Sequence, residues 1–144
     1  MGSELVLKTV KLILEGKAKG TPQPQIAKLK PAPKIFKETC RIDWQKTARE
    51  LYNFVRGLSP YPAAWTEIVS PNGEVSILKI FETQTEIIAH NEPIGKLITD
   101  SKKFIKIAVS DGYLHLISIQ LPNKKRIKTE EVLCGMSLEG FSIR

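Results

Sequence analysis

Only two cysteines and two histidines occur in 144 residues. Cys40 and Cys134 stand far apart, with no CxxC and no histidine at ligand spacing, which argues against a metal site and against a disulfide framework. Free, buried thiols in a reducing compartment are the expectation. No run of about 18 apolar residues occurs, so no membrane-spanning helix is expected. Met1-Gly2-Ser3 leads straight into an amphipathic segment without a signal-peptide pattern. The chain therefore reads as cytoplasmic, with neither a membrane nor a metal among its partners.

Catalytic signatures are missing as well. There is no GxGxxG, no GxxxxGK followed by Ser or Thr, and no HExxH. His90 falls in a connection before Pro93, and His115 lies in a strand between Leu114 and Leu116; both read as surface or structurally satisfied histidines. Cys40 stands beside Arg41, but nothing else in the pattern supports an activated thiol. Aromatics make up only 7% of the residues, and no strand shows the paired rings on which single-stranded binders stack bases. Trp44, Tyr61 and Trp65 read as core, packing at the corner between helix and strands.

Basic residues are plentiful. The formal net charge is +7, and all of the excess falls in residues 1–60, where 12 Lys and Arg face 5 Asp and Glu. A basic arm on a neutral body suggests a polyanionic partner, nucleic acid or anionic membrane, although a solubilising surface gives the same balance. A second cluster, Lys124-Lys125-Arg126 with Lys128, follows a strand; taken alone it is equally a phosphate contact or a solvated turn. The two clusters together, with Arg41, Lys46, Arg49 and Arg56 between them, favour structured RNA held by its phosphates and shape.

Apolar spacing predicts a helix over Glu4–Glu15, with Ser3 as cap and Gly16 as stop. Lys17–Lys37 contains four prolines and almost no periodicity, so it reads as an extended linker carrying Lys17, Lys19, Lys28, Lys30, Lys34 and Lys37. The predicted organisation is a helix over 1–16, a linker over 17–37 and a body over 38–144. So short a helix ahead of so long a linker suggests a piece whose upstream domain is missing. Thr47-Ala48-Arg49-Glu50 fits a capping box opening a helix to about Arg56, ending at Gly57.

From Ala63 the period is two. Strands are predicted at Ala64–Val69, Val75–Ile88, Lys96–Thr99, Phe104–Val109 and Tyr113–Gln120, separated by Asn-Gly, Ser-Lys-Lys and Asp-Gly turns. Thr129 is expected to cap a short helix to Gly135. Five or six short antiparallel strands with few helices give the fold class: mainly β with short helices, a small Greek-key, OB-like barrel preceded by a helix and an extended linker.

Four segments, in order, resemble the C-terminal part of the methionyl-tRNA formyltransferase family. They are Leu29-Lys30-Pro31-Ala32-Pro33-Lys34-Ile35 with Arg41-Ile42-Asp43-Trp44; Val55 to Ala63; Ser110-Asp111-Gly112-Tyr113-Leu114; and Gln120-Leu121-Pro122-Asn123-Lys124-Lys125-Arg126. The resemblance implies a two-domain enzyme that moves a formyl group from 10-formyltetrahydrofolate to the methionine of initiator methionyl-tRNA. Its catalytic Asn, His and Asp belong to an N-terminal domain, and no position here matches them. This part would carry no cofactor and no catalytic residue, and would present tRNA to the catalytic domain in cis. The RNA-binding residues it implies are Lys124, Lys125 and Arg126 of the turn and Lys34, Lys37 and Arg41 of the linker region; the charge pattern adds their neighbours Lys128, Lys28 and Lys30 to the candidate set. Asn123 stands where the family has Ala-Gly, which shortens the turn, and Tyr61 stands where Trp is frequent. The rival reading is a docking module, without RNA, of a formyltransferase-like enzyme acting on a small molecule.

Overall fold

A computed structural model describes residues 2–25 and 31–144. The chain divides into two compact units, Met1–Pro33 and Lys34–Arg144. The first holds helix α1 (Gly2–Leu14), none of whose residues is buried. Ser3 lies inside this helix instead of capping it, so the expected start shifts by two residues. Gly16 ends it as expected: at φ 67° it lets Gly16 and Lys17 donate back to Ile13 and Leu12, closing carbonyls that would otherwise be open.

The second unit is mainly β, a nearly closed antiparallel barrel with two short helices, α2 (Ala48–Leu58) and α3 (Thr129–Gly135). Its strands are β1 (Ala64–Val69), β2 (Val75–Ile87), β3 (Leu97–Thr99), β4 (Ile105–Val109), β5 (Gly112–Gln120), β6 (Ile127–Lys128) and β7 (Ser142–Ile143). They pair in the order β3-β4-β5-β2-β1-β7, with β6 on the far part of β5. Strands β3, β4 and β5 form a meander, and β2 lies beside β5 across a longer connection, which is the Greek-key arrangement. The two ends of the sheet approach each other: a side chain on Gly95, just before β3, would lie 3.7 Å from Ile143 of β7.

Burial follows the two-residue period that the sequence shows. In β1, Ala64, Thr66 and Ile68 point inward, and in β5, Leu114 and Leu116 do so. The period slips once on each of two paired strands. Ile80 faces Ile119, Glu82 faces Ser118 and Thr83 faces Leu116, so Phe81 is the extra residue on β2 and Ile117 on β5. The two bulges cancel, and pairing resumes in register to Ile87 and Gly112.

Helix α2 closes one side of the barrel with Ala48, Leu51, Val55 and Leu58, all buried. Each large side chain so buried contributes about 1.5–3 kcal/mol relative to exposure. Its N terminus is held twice. Thr47 and Glu50 make the reciprocal capping box, and Asp111, from the tight turn between β4 and β5, accepts the Ala48 N–H at 2.7 Å. The helix runs one residue past Gly57, because its stop is set by Ser59, driven into an extended conformation before Pro60.

Other departures are small but informative. Lys128, without a side-chain bond, occupies the cap position of α3, while the Thr129 hydroxyl donates to the Leu116 carbonyl and ties the helix to β5. Trp44 is core, and its Nε1 donates to the buried Thr66 hydroxyl at 3.0 Å. Tyr61 is not core: it is 89% exposed between Pro60 and Pro62. Cys40 is buried, but Cys134 is exposed on α3, since the inward positions there go to Val132 and Leu133. Among the described residues no helix is long and apolar enough to cross a membrane.

Two substitutions test this frame. Asp111→Ala should lower stability by about 1 kcal/mol through loss of a helix cap, measured by urea denaturation. Gly112→Ala should cost more, because its Cβ would fall 2.0 Å from the Glu86 carbonyl oxygen, and its thermal midpoint should drop further than that of Asp111→Ala.

Candidate nucleic-acid interface

The outer face of β1, β2 and β5 connects the Lys34–Arg41 segment with the Lys124-Lys125 loop. Arg41 forms a bridge with Trp65 of β1, Trp65 pairs with Lys79 of β2, and Lys79 pairs with Gln120 of β5. Directly opposed residues share a face of a sheet, so these four form one row. Strands are spaced about 4.8 Å apart, which makes the row about 15 Å long. Gln120 then donates from Nε2 to the Lys124 carbonyl at 2.8 Å, fixing the base of the basic loop to the end of the row. Asn123 adopts φ 57° at the turn, a conformation Asn tolerates better than most residues.

At the other end of the row the chain from Lys34 to Arg41 is held against β1. The Trp65 indole donates to the Lys37 carbonyl at 2.8 Å, Ile42 N–H donates to Trp65 O, and Glu38–Cys40 makes one 3-10 turn. Lys37 and Arg41 flank the Trp65 ring, 5.7 and 5.5 Å from its centroid. Ile77 and Lys79 border both a cleft of about 650 Å³ reaching Ile35–Lys37 and a shallower one reaching Gln120–Asn123. Lys79 is thus the link between the clusters. Its outward position between the buried Leu78 and Ile80 was open to reading from the sequence, but its neighbours depend on register.

The expected site residues behave differently from one another. Lys124 and Lys125 are exposed at the loop tip, and among the described residues neither they nor Lys34, Lys37, Lys79 and Lys128 take part in an ion pair. Arg41 does: it donates to Glu67 at 2.8 Å and to the Arg144 carbonyl at 3.3 Å. Arg126 separates from the lysine pair, with Nε donating to Ser118 at 2.8 Å and its guanidinium 4.7 Å from the centre of the Phe81 ring. Lys128 borders a different hollow, with Lys103, Phe104 and His115. Lys28 and Lys30 lie outside the described residues.

Both histidines are engaged. His90 stacks on Tyr113; its Nε2 lies 2.8 and 2.9 Å from the Val109 and Gly112 carbonyls and its Nδ1 accepts the Glu92 N–H, so Nε2 carries the hydrogen. His115 bonds Glu86 at 2.7 Å. Neither faces an Asn or Asp that would make it a catalytic base, and among the described residues no group of three or more His, Cys, Asp or Glu could hold a metal ion.

A small, mainly β barrel carrying lysines on one outer face is therefore the class that the geometry defines. The chain belongs to the family described as formyl transferase, C-terminal domain, which matches residues 34–137. It is 51% identical to methionyl-tRNA formyltransferase of Bacteroides fragilis over 100% of this chain and 46% of that protein. The Bacteroides thetaiotaomicron enzyme of the same name is 53% identical, over 99% and 46%, and that of Flavobacterium johnsoniae 45%, over 95% and 43%. The chain thus spans less than half the length of these relatives. Among solved structures, a variant of HypX from Aquifex aeolicus shares the fold, with a TM-score of 0.63 and 20% identity over 91% of this chain and 22% of that one. HypX in complex with tetrahydrofolic acid gives a TM-score of 0.61 and 19% identity over 90% and 22%.

The Glu86 cluster on the outer face generates a pH prediction. Hydrogen bonds from His115 first, and then from Lys106, hold its carboxyl below the ordinary value of 4.5. A carboxylate whose folded value is depressed contributes stability above its unfolded value and loses it as pH falls through the folded one. Acid unfolding below about pH 4.5 should therefore be less steep in Glu86→Gln than in the unaltered chain, as followed by circular dichroism.

Proposed function

We propose that this chain is the RNA-gripping part of a methionyl-tRNA formyltransferase. It holds initiator methionyl-tRNA by its phosphates while a catalytic domain in cis transfers the formyl group from 10-formyltetrahydrofolate. The observation that carries the reading is the row Arg41-Trp65-Lys79-Gln120, which joins the Lys34–Arg41 segment to the Lys124-Lys125 loop across one sheet face. Lysines without carboxylate partners keep their full charge for a polyanion, and each phosphate they neutralise releases condensed counterions. The names of the relatives support tRNA as that polyanion. In this reading α1, with its uncovered apolar stripe, belongs to the catalytic domain, residues 17–37 form the basic linker, and residues 38–144 the barrel domain. The cytoplasm is its compartment.

Binding should be weak and salt-sensitive. With about four to six phosphates engaged, log K should fall with log[salt] with a slope of roughly −3 to −5, measured by filter binding of initiator methionyl-tRNA. Replacing Lys124 and Lys125 together by Ala should weaken binding and flatten the slope by about 1 to 2, and Lys79→Ala should do so by about half as much. Absence of tRNA binding at low salt would refute the reading. Binding no tighter than to an unrelated polyanion of equal charge would favour the rival, a docking module.

A further inference from the structure

Arg126 leaves the lysine loop for a cleft of about 430 Å³ between α2 and β2, lined by Tyr52, Val55, Arg56, Phe81, Thr83 and Arg126 among others. We infer that this cleft is a dedicated seat for one phosphate group of the bound RNA, gripped by Arg56 and Arg126 with the Thr83 hydroxyl behind them. The inference rests on the RNA-binding reading and adds a site that the lysine-rich face does not include.

Three observations carry it. First, both guanidinium groups are pre-placed by aromatic rings, Arg126 at 4.7 Å from the Phe81 centroid and Arg56 at 5.9 Å from that of Tyr52. Their forks are thereby oriented while most of their donors stay open. Arg126 uses one N–H on Ser118, and Arg56 makes a single long bond of 3.4 Å to Asn53. A planar fork with free donors matches the oxygens of a phosphate, and two forks in one cleft can share its charge.

Second, Thr83 is only 6% exposed, and its hydroxyl is the buried side-chain group that lacks a hydrogen-bond partner among the described residues. Such a group costs about 1–3 kcal/mol unless something bonds it. The hydroxyl belongs to the lining of the same cleft as both guanidinium groups, where an oxygen of an anion held by them can bond it. Third, the opposing carboxylate is weak competition: Glu82 lies 4.0 Å from Arg126 and its side chain is 62% exposed, so solvent screens it. The Phe81 bulge creates this cleft, because the extra residue of β2 turns its ring outward under Arg126.

The test uses the whole chain and the same tRNA titration, with Arg56→Lys, Arg126→Lys and Thr83→Val. Each lysine variant keeps the charge and loses the fork, so affinity should fall about tenfold for each. Thr83→Val should weaken binding about threefold while its thermal midpoint stays equal or rises, because it removes an unbonded hydroxyl; a merely structural threonine would not show that split. If the unaltered chain binds tRNA, and the Lys124 and Lys125 double variant weakens it, yet all three cleft variants bind like the unaltered chain, the phosphate seat is refuted and the RNA reading stands. If the unaltered chain binds no tRNA, both fall. Titration with inorganic phosphate against chloride of equal ionic strength separates the sources: phosphate perturbing the Arg56 and Arg126 side-chain resonances, with tRNA affinity unmoved by the cleft variants, would mean a free anion and overturn the RNA assignment.

Discussion

The attachment of α2 to the barrel is the constraint on which the rest depends. Asp111 sits in the turn between two central strands and caps a helix more than sixty residues earlier in the chain, so the cap sets both where the helix begins and how it lies. Leu51 and Val55 then fill the barrel side with almost no exposure. Tyr52 and Arg56 take the flank of the same helix, beside β2. Core and basic cleft are thus two faces of one eleven-residue helix, and its placement determines both.

Charge on this barrel is sorted by whether it has a partner. Arg41, Lys96 and Lys106 are paired with Glu67, Glu92 and Glu86, and such exposed pairs contribute little stability. Among the described residues Lys79, Lys124 and Lys125 take no part in an ion pair, and their repulsion is tolerable because the screening length at physiological salt is about 8 Å. A face built in this way gains most from a ligand that displaces counterions. The two arginines beside α2 differ again, since rings fix them, and fixed forks discriminate geometry where lysines respond to charge.

Much of this was legible in the residues. The Thr47-to-Glu50 pattern marked a helix start, and alternation in β1, β4 and β5 with the Asn-Gly and Asp-Gly turns marked the sheet. The Greek-key barrel followed from strand count and spacing. What stayed hidden depends on partners far away in sequence. Two-residue strands such as Ile127-Lys128 and Ser142-Ile143 have no periodicity to read, and exist because β5 and β1 offer open edges. Arg126 looked like one of three equivalent cations until Phe81 and Ser118 were found beneath it. Lys79 carried no signal of its own, because only register places it between Trp65 and Gln120. Tyr61 is the reverse case: aromatic character argues for burial, yet the two flanking prolines keep that segment at the surface.

The paired bulges at Phe81 and Ile117 have a consequence for how such a barrel can change over time. Each strand carries one surplus residue, and inward positions on either side of it are out of step by one, from Ile80 to Thr83 and from Leu116 to Ile119. Losing Phe81 would leave every other residue of β2 on its present face, since Ile80, Glu82 and Thr83 would then alternate inward, outward and inward, whereas losing a residue elsewhere in β2 would put the neighbouring stretch out of step. Losing Ile117 would likewise keep the faces of β5, but it would flatten the wall on which the Phe81 ring stands. Length changes are therefore borne at these two positions better than elsewhere in the pair, but the basic cleft disappears with the kink and the ring that shape it.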